Sequence, residues 1–438
     1  MSALLPGLAA APQDTPVISG VLRGAGGKPK IAVTDFRGTG RSGAFMSTFN
    51  STLYADLQSS GMFDMVSKSV NFPQQPQQPS DFKPESGTGL AIKDWAGPPA
   101  NASHLAFGYA ADQGGSLVLY GFLFDVRQQS AQGAQMMAKR FFDSMDDPGA
   151  RKAAHEFSCE ILKTFGSDCL LGTKIYFISN RTGVKELWVM DYDGANQRQL
   201  THSRNINVTP GISPDGSLVS FTSYKTGLPQ LNIMETATGR LRGFLNPTAS
   251  MNCCATFTPD GKQVYFSSTL SGTPQIYRAG VTGASLTRIS HSNAIETEPK
   301  VNPKNPSELV FVSGRTGPQQ IFRMNSEGLD VERITDGTGE ASNPSWHPDG
   351  QHILFSWTRG YAKGEFNVFL MDVASRRYDQ LTHSEGKNEN PVWAPDGRHL
   401  VFGSTRGGSK QIWTMLADGT GATRLTNQGE NTQPVWSK

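Results

Sequence analysis

The sequence predicts an α/β amino-terminal domain followed by an all-β six-bladed β-propeller. Three observations predict it. A repeat recurring about every 44 residues fills the last three-fifths of the chain. Each repeat holds four short runs rich in Val, Ile, Phe, Tyr and Trp, punctuated by Pro, Asp-Gly and Gly. The residues before the repeat instead mix strand-like and helix-like patterns.

From the start, Met1 to Gln13 carries a short apolar run and an A-x-A site at Ala9 to Ala11, so residues 1–14 read as the tail of a shortened secretory signal. No later apolar run approaches the roughly 18 residues that cross a bilayer, so the mature chain is expected to be soluble outside the cytoplasm, without a transmembrane segment.

Residues 15–170 form the α/β unit. Lys30 to Phe36 (KIAVTDF) reads as a buried strand, and Ala44 to Ser60 as a helix with apolar positions at Phe45, Phe49, Leu53 and Leu57, stopped by Gly61. After a strand at Met62 to Ser67, the Pro-, Gln- and Ser-rich stretch Phe72 to Gly89 reads as a loop that cannot bury a core. Strands follow around His104 to Tyr109, Ser116 to Val126 and Ala134 to Phe142, then a one-face helix over Pro148 to Thr164. The boundary falls near Gly166 to Gly172 and leaves residues 171–438 to the propeller.

Within the repeat, Pro-Asp-Gly turns begin at Pro214, Pro259, Pro348 and Pro395, with Pro303-Lys304-Asn305 as a degraded copy, so successive starts differ by 45, 44, 45 and 47 residues. Phe177, Phe221, Phe266, Phe311, Phe355 and Phe402 each end a β-rich run and count six units. Four short strands per unit make a propeller blade. The first unit lacks its P-x-W strand, which reappears at Gln433 to Trp436; placing it innermost in blade one closes the ring and removes two open sheet edges.

Charge excludes some functions. With 40 basic and 38 acidic residues and no basic run, nucleic acid is an unexpected partner. None of the four cysteines has C-x-x-C spacing; Cys159 and Cys169 either pair in an oxidising compartment or remain thiols, and the adjacent Cys253 and Cys254 read as packing residues.

Several motifs suggest chemistry and have plainer explanations. Gly38 to Gly43 satisfies G-x-G-x-x-G between a strand and a helix, yet the acid expected about 20 residues on has no second strand to end. His155-Glu156 opens a zinc motif, but Cys159 stands where the second histidine belongs, which leaves helix packing. There is no G-x-S-x-G elbow. Asp191 to Gly194 and Ala417 to Gly419 read as hairpin turns rather than calcium loops. His202, Asn246, His291, Asp336, His383 and Asn427 share one repeat position, but at the rim, where blades diverge too far for shared ligation. No metal or cofactor is expected.

Alternating chain direction puts the loops after L-T on one face of the propeller. The residues just before the P-x-W strands, Thr209, Cys254, Glu298, Asn343, Asn390 and Gln433, are expected to line the channel mouth and to hydrogen-bond a protein loop. An enzyme working in the channel, a propeller-type hydrolase, is the alternative; it should place several ionisable groups there, and only Glu298 is one at neutral pH.

Gly24 to Phe36, Gly61 to Asp64, Pro73 to Pro76, Ala153 to Leu162 and Met190 to Gly194, in this order and followed by these repeats, resemble the TolB family, whose blades carry the WD40-like repeat called PD40. The resemblance implies a non-enzymatic, monomeric periplasmic scaffold of the Tol-Pal system that maintains outer-membrane integrity and constriction at division. It implies docking of the lipoprotein Pal at the propeller mouth, with Thr297-Glu298-Pro299 matching the family's T-E-P stretch, although Met251 to Cys254 departs from the His-Asn-Gly-Ala of some relatives. It also implies a mobile amino-terminal arm, Thr15 to Lys28, including Val17, Ile18, Val21 and Arg23, that signals to TolA; this arm lacks the usual acidic start.

Overall fold

In the amino-terminal part the sheet forms around two apolar runs that pair along their full length. The computed structural model describes Val17 and residues 27–70, 74–83 and 90–438. Strands β1 (Lys30–Val33), β2 (Arg37–Gly38), β3 (Asp64–Met65), β4 (His104–Gln113), β5 (Ser116–Asp125) and β6 (Gln135–Ser144) make one sheet, ordered β3-β1-β4-β5-β6, with β2 on β4. β1 lies parallel to β3 and β4, and β4, β5 and β6 form an antiparallel meander. The first strand is shorter than its apolar run because the chain then leaves the ladder: Phe36 N donates instead to Asn50 Oδ1 at 2.8 Å.

Helices Met46–Ser59 and Asp147–Thr164 cover one sheet face, where Phe49, Leu53, Leu57, Phe157 and Ile161 pack on Leu119 and Leu123. The second helix is fixed at its start by Asp146, whose carboxylate accepts from Gly149 N at 2.7 Å. On the other face Trp95, Phe107 and Phe124 form a second core with Phe82. The Pro-rich loop therefore does contribute to a core, because its Phe82 is buried against the rings of Phe107 and Phe124, each at 5.6 Å.

Six four-stranded antiparallel sheets follow as blades. Blade 1 takes its innermost strand, Asn431–Trp436, from the carboxyl end, paired to Lys174–Ser179. Blades 2 to 6 begin with innermost strands Asn207–Ile212, Asn252–Phe257, Glu296–Val301, Ala341–Trp346 and Asn388–Trp393. The outer strands are only two or three residues long.

Two repeat features hold the blades together, the first in four of the six and the second in five. In blades 1, 4, 5 and 6 the arginine of the turn after the second strand lies over an aromatic ring of the same blade: Arg181 on Trp188 at 4.5 Å, Arg315 on Phe322 at 5.2 Å, Arg359 on Tyr378 at 5.1 Å and Arg406 on Trp413 at 5.0 Å. In five blades the hydroxyl after the repeat's leucine or isoleucine stitches the outer turn to the third strand. Thr201, Ser290, Thr335, Thr382 and Thr426 each accept from a backbone N–H there and donate to the Glu, Gln or Asn that precedes it. In blade 2 Asn246 Oδ1 accepts from Leu231 N at 2.9 Å, so Asn246 occupies this structural position and not that of His202. His202, His291, Asp336, His383 and Asn427 are exposed.

Candidate functional site

Thr209, Cys254, Glu298, Asn343, Asn390 and Gln433 come together around the propeller channel, lining a cavity of about 70 Å³. They do not precede the innermost strands, as their position before P-x-W suggests, but occupy the third place within them. There the pairing slips at a bulge in every blade.

All six carry positive φ, from 48° at Thr209 to 62° at Cys254. None is glycine, and five precede proline, a setting that favours extended backbone. Each such residue costs on the order of 1–3 kcal/mol and persists only where its surroundings dictate it. The ring is partly self-bonded. Gln433 Oε1 accepts from Thr209 N at 2.9 Å, and Glu298 accepts from Asn343 N at 2.7 Å and from its Nδ2 at 3.1 Å. Ser356 Oγ accepts from Asn390 N at 3.1 Å and donates to Asn343 Oδ1 at 3.2 Å.

Lys300, two residues on from Glu298, also lines the channel. Burial raises the Glu298 carboxyl against the pull of the Asn343 N–H and Lys300, and burial lowers the Lys300 ammonium. Both residues are half-buried. Thr297 lies beside Glu298 in the same strand, half-buried. Cys254 is therefore more than a packing residue, since it lines the channel, whereas Cys253 is buried.

A second polar centre joins the two domains on the opposite, Pro-Asp-Gly side. The hairpin Asp191 to Gly194 sends Tyr192 and Asp193 between the two long helices. Tyr192 OH donates to Asp56 Oδ1 at 3.1 Å, His155 Nδ1 lies 2.7 Å from Asp56 Oδ2, and Ser158 Oγ donates to the same oxygen at 2.9 Å. His155 Nε2 stands 3.4 Å from Asp193, which Arg151 also pairs. Burial alone would depress His155, but its hydrogen bonds to Asp193 and Asp56 outweigh this and lift it to about 9. Burial would raise Asp193, and the same His155 bond, with the Ala195 N–H and Arg151, holds it at about 2. Nearby, His399 Nε2 donates to Ser59 O at 2.8 Å. A cavity of about 650 Å³ lies along this joint.

In sequence, Asp191 to Gly194 reads as a turn and His155 as helix packing. Both hold locally, and both hide the contact between domains. The signal was an acid, an aromatic and a histidine in motifs that otherwise looked unused.

The remaining motifs resolve structurally. A Cβ on Gly38 would lie 2.4 Å from Gly43 N, so this glycine serves close backbone approach. Cys159 and Cys169 are joined by a disulfide with Cα atoms 5.3 Å apart. His347, Asp349 and His352 cluster like metal ligands, but Asp349 accepts from Gln351 N and His352 Nδ1, and His347 bonds Gly397 O, which makes them turn chemistry. Among the described residues no helix is long and apolar enough to cross a membrane. Thr15, Ile18, Val21, Arg23 and residues 1–14 lie outside the described residues; Val17 packs against the apolar cluster shared by blades 5 and 6.

Residues 163–359 and 332–438 match the model of the TolB beta propeller domain, and residues 20–132 match that of the TolB amino-terminal domain. The chain belongs to the TolB family. A TolB homolog of Chlorobium chlorochromatii is 38% identical over 136 residues, 31% of this chain and 30% of that protein. A Tol-Pal system protein TolB of Roseobacter denitrificans is 38% identical over 214 residues, 48% of this chain and 46% of that protein. The chain thus spans less than half the length of these curated TolB relatives. The crystal structure of TolB from Acinetobacter baumannii shares the fold, with a TM-score of 0.77 at 22% identity over 94% of this chain and 98% of that one.

Proposed function

We propose that this chain is a non-enzymatic periplasmic adaptor of the Tol-Pal system, which docks Pal at the channel mouth and signals to TolA through its amino-terminal arm. Membership of the TolB family supports the system; the ring of six strained, non-glycine residues supports the docking site. Backbone strain held at one place in six separate blades is a cost that packing does not require, and it turns Thr209, Glu298, Asn343 and their ring neighbours toward the channel. The arm reading draws support from Val17, which touches the propeller on blades 5 and 6.

Calorimetric titration of the chain with the Pal domain of the same organism tests the docking site. Micromolar or tighter binding to wild type, lost in Glu298→Arg with an unchanged circular dichroism spectrum, is the expected result. No heat and no complex by gel filtration would overturn the Pal assignment and bring back the channel hydrolase.

A further inference from the structure

Cys253 and Cys254 are free thiols in a chain whose other two cysteines are joined. The two side chains influence each other: Cys253 is the largest cause that, with burial, raises the Cys254 thiol. Cys254 holds the ring position of blade 3 and lines the channel, and Cys253, 8% exposed, faces Ser267 across the ladder. The Ser267 hydroxyl is fully buried and has no hydrogen-bond partner.

The other blades show where that hydroxyl points. In blades 2 and 5 the equivalent residues, Thr222 and Ser356, bond the side chain of their own ring residue, Thr209 Oγ1 at 2.7 Å and Asn343 Oδ1 at 3.2 Å. Ser267 by the same geometry faces Cys254 with its bonding capacity unmet. Glu298 and Lys300, on the next blade, both interact electrostatically with Cys254.

Adjacent thiols can close a disulfide or share a ligand. A disulfide places its Cα atoms roughly 4.4–6.8 Å apart, whereas a trans peptide holds neighbours at about 3.8 Å, so the bond is strained. One soft ion bonded to each sulfur at about 2.3 Å leaves the sulfurs well apart and removes that conflict. Two thiolates select soft cations such as Cu(I) over hard ones.

We propose that Cys253 and Cys254 form a binding site for a soft, thiophilic cation of the Cu(I) class, opening on the propeller channel beside the unmet Ser267 hydroxyl. On binding, two S–H bonds break and release two protons to solvent, two sulfur–metal bonds form, and no electron is transferred. The bis-thiolate product carries one net negative charge. Lys300 stands where its ammonium offsets that charge. Because protons are released, uptake weakens as pH falls.

The test is competition of the full, reduced chain with the coloured Cu(I)–bicinchoninate complex. Wild type is expected to withdraw one equivalent more than Cys254→Asn, and Cys253→Ala to lose the same equivalent. Asparagine holds this ring position at positive φ in blades 5 and 6, so Cys254→Asn keeps the backbone, checked by an unchanged melting temperature. Both variants retain Cys159 and Cys169, so the difference reports on the pair alone. Equal uptake by wild type and Cys254→Asn, or a Cys253–Cys254 disulfide in the isolated chain by mass spectrometry, would overturn the site.

Discussion

His155 bridges the two domains: its Nε2 lies 3.4 Å from Asp193 on a propeller hairpin while its Nδ1 lies 2.7 Å from Asp56 on the facing helix. Held at about 9, against an ordinary 6.5, His155 is cationic at neutral pH. Its contribution is fully present below pH 6.5 and is lost as pH rises through about 9. Asp193, held at about 2, contributes above its ordinary 3.8 and loses that contribution as pH falls toward 2. The joint is therefore strongest between pH 3.8 and 6.5, where both contributions are fully present. Melting temperature measured against pH should fall between about pH 6.5 and 9 in wild type and level off above, whereas His155→Gln should start lower, by about 3 kcal/mol, and lack that fall. An identical alkaline limb in both proteins would show that His155 does not couple the domains to pH.

Thr209 is the most strained member of the channel ring, since a β-branched residue at φ 48° is a steric outlier. Asparagine tolerates this region better, and a substitution here leaves the Gln433 bond to the backbone N–H in place. Thr209→Asn should stabilise the chain by about 1 kcal/mol in urea unfolding, despite loss of the Thr222 contact. If the ring is a docking surface, the same variant weakens partner binding, so stability and binding move in opposite directions. A variant that is less stable than wild type would remove the strain argument.

The propeller was legible because its repeat writes similar local chemistry in blade after blade: a Pro-Asp-Gly turn in four copies, a stacked arginine in four blades, and a Leu or Ile followed by Thr or Ser in five. The channel ring was also legible, through the residue before the proline in five blades and its repeat-equivalent Cys254 in the sixth, although not its bulge or its backbone strain, which depend on the partner strand. The joint was not. Asp56, His155 and Asp193 are separated by 99 positions and then 38 in the chain, and only the placement of the first domain on blades 1 and 6 brings them together. Asn246 misled for a related reason: an amide oxygen replaces the hydroxyl of Thr201, which shifts the apparent register of blade 2 by one residue.

Gly38 separates the structural from the dinucleotide reading of Gly38 to Gly43. An alanine there would bring its Cβ to 2.4 Å from backbone that cannot swing aside. Gly38→Ala should cost about 2–3 kcal/mol by chemical unfolding. Titration of wild type with NAD or NADP should give no heat, and heat from either would restore the nucleotide-site reading.

The last strand decides whether the ring is closed. Asn431–Trp436 supplies the innermost strand of blade 1, and Arg181 reaches from that blade's turn to Asn431 Oδ1 at 2.9 Å while stacking on Trp188. Trp436 is buried and donates its indole N–H to Thr173 at 2.9 Å. Trp436→Ala should therefore cost about 3–5 kcal/mol, the range for emptying a large aromatic site. Removing Asn431 to Lys438 should do more than add up these contacts, because it bares the edge of Lys174–Ser179 and the channel-facing edges of both neighbouring blades. The expected outcome is a chain that elutes as aggregate and that regains a monomeric peak when a synthetic peptide of residues 431–438 is supplied during refolding. A truncated chain that stays monomeric with wild-type melting would show that five complete blades and one open one suffice, and the closure would then have no energetic role.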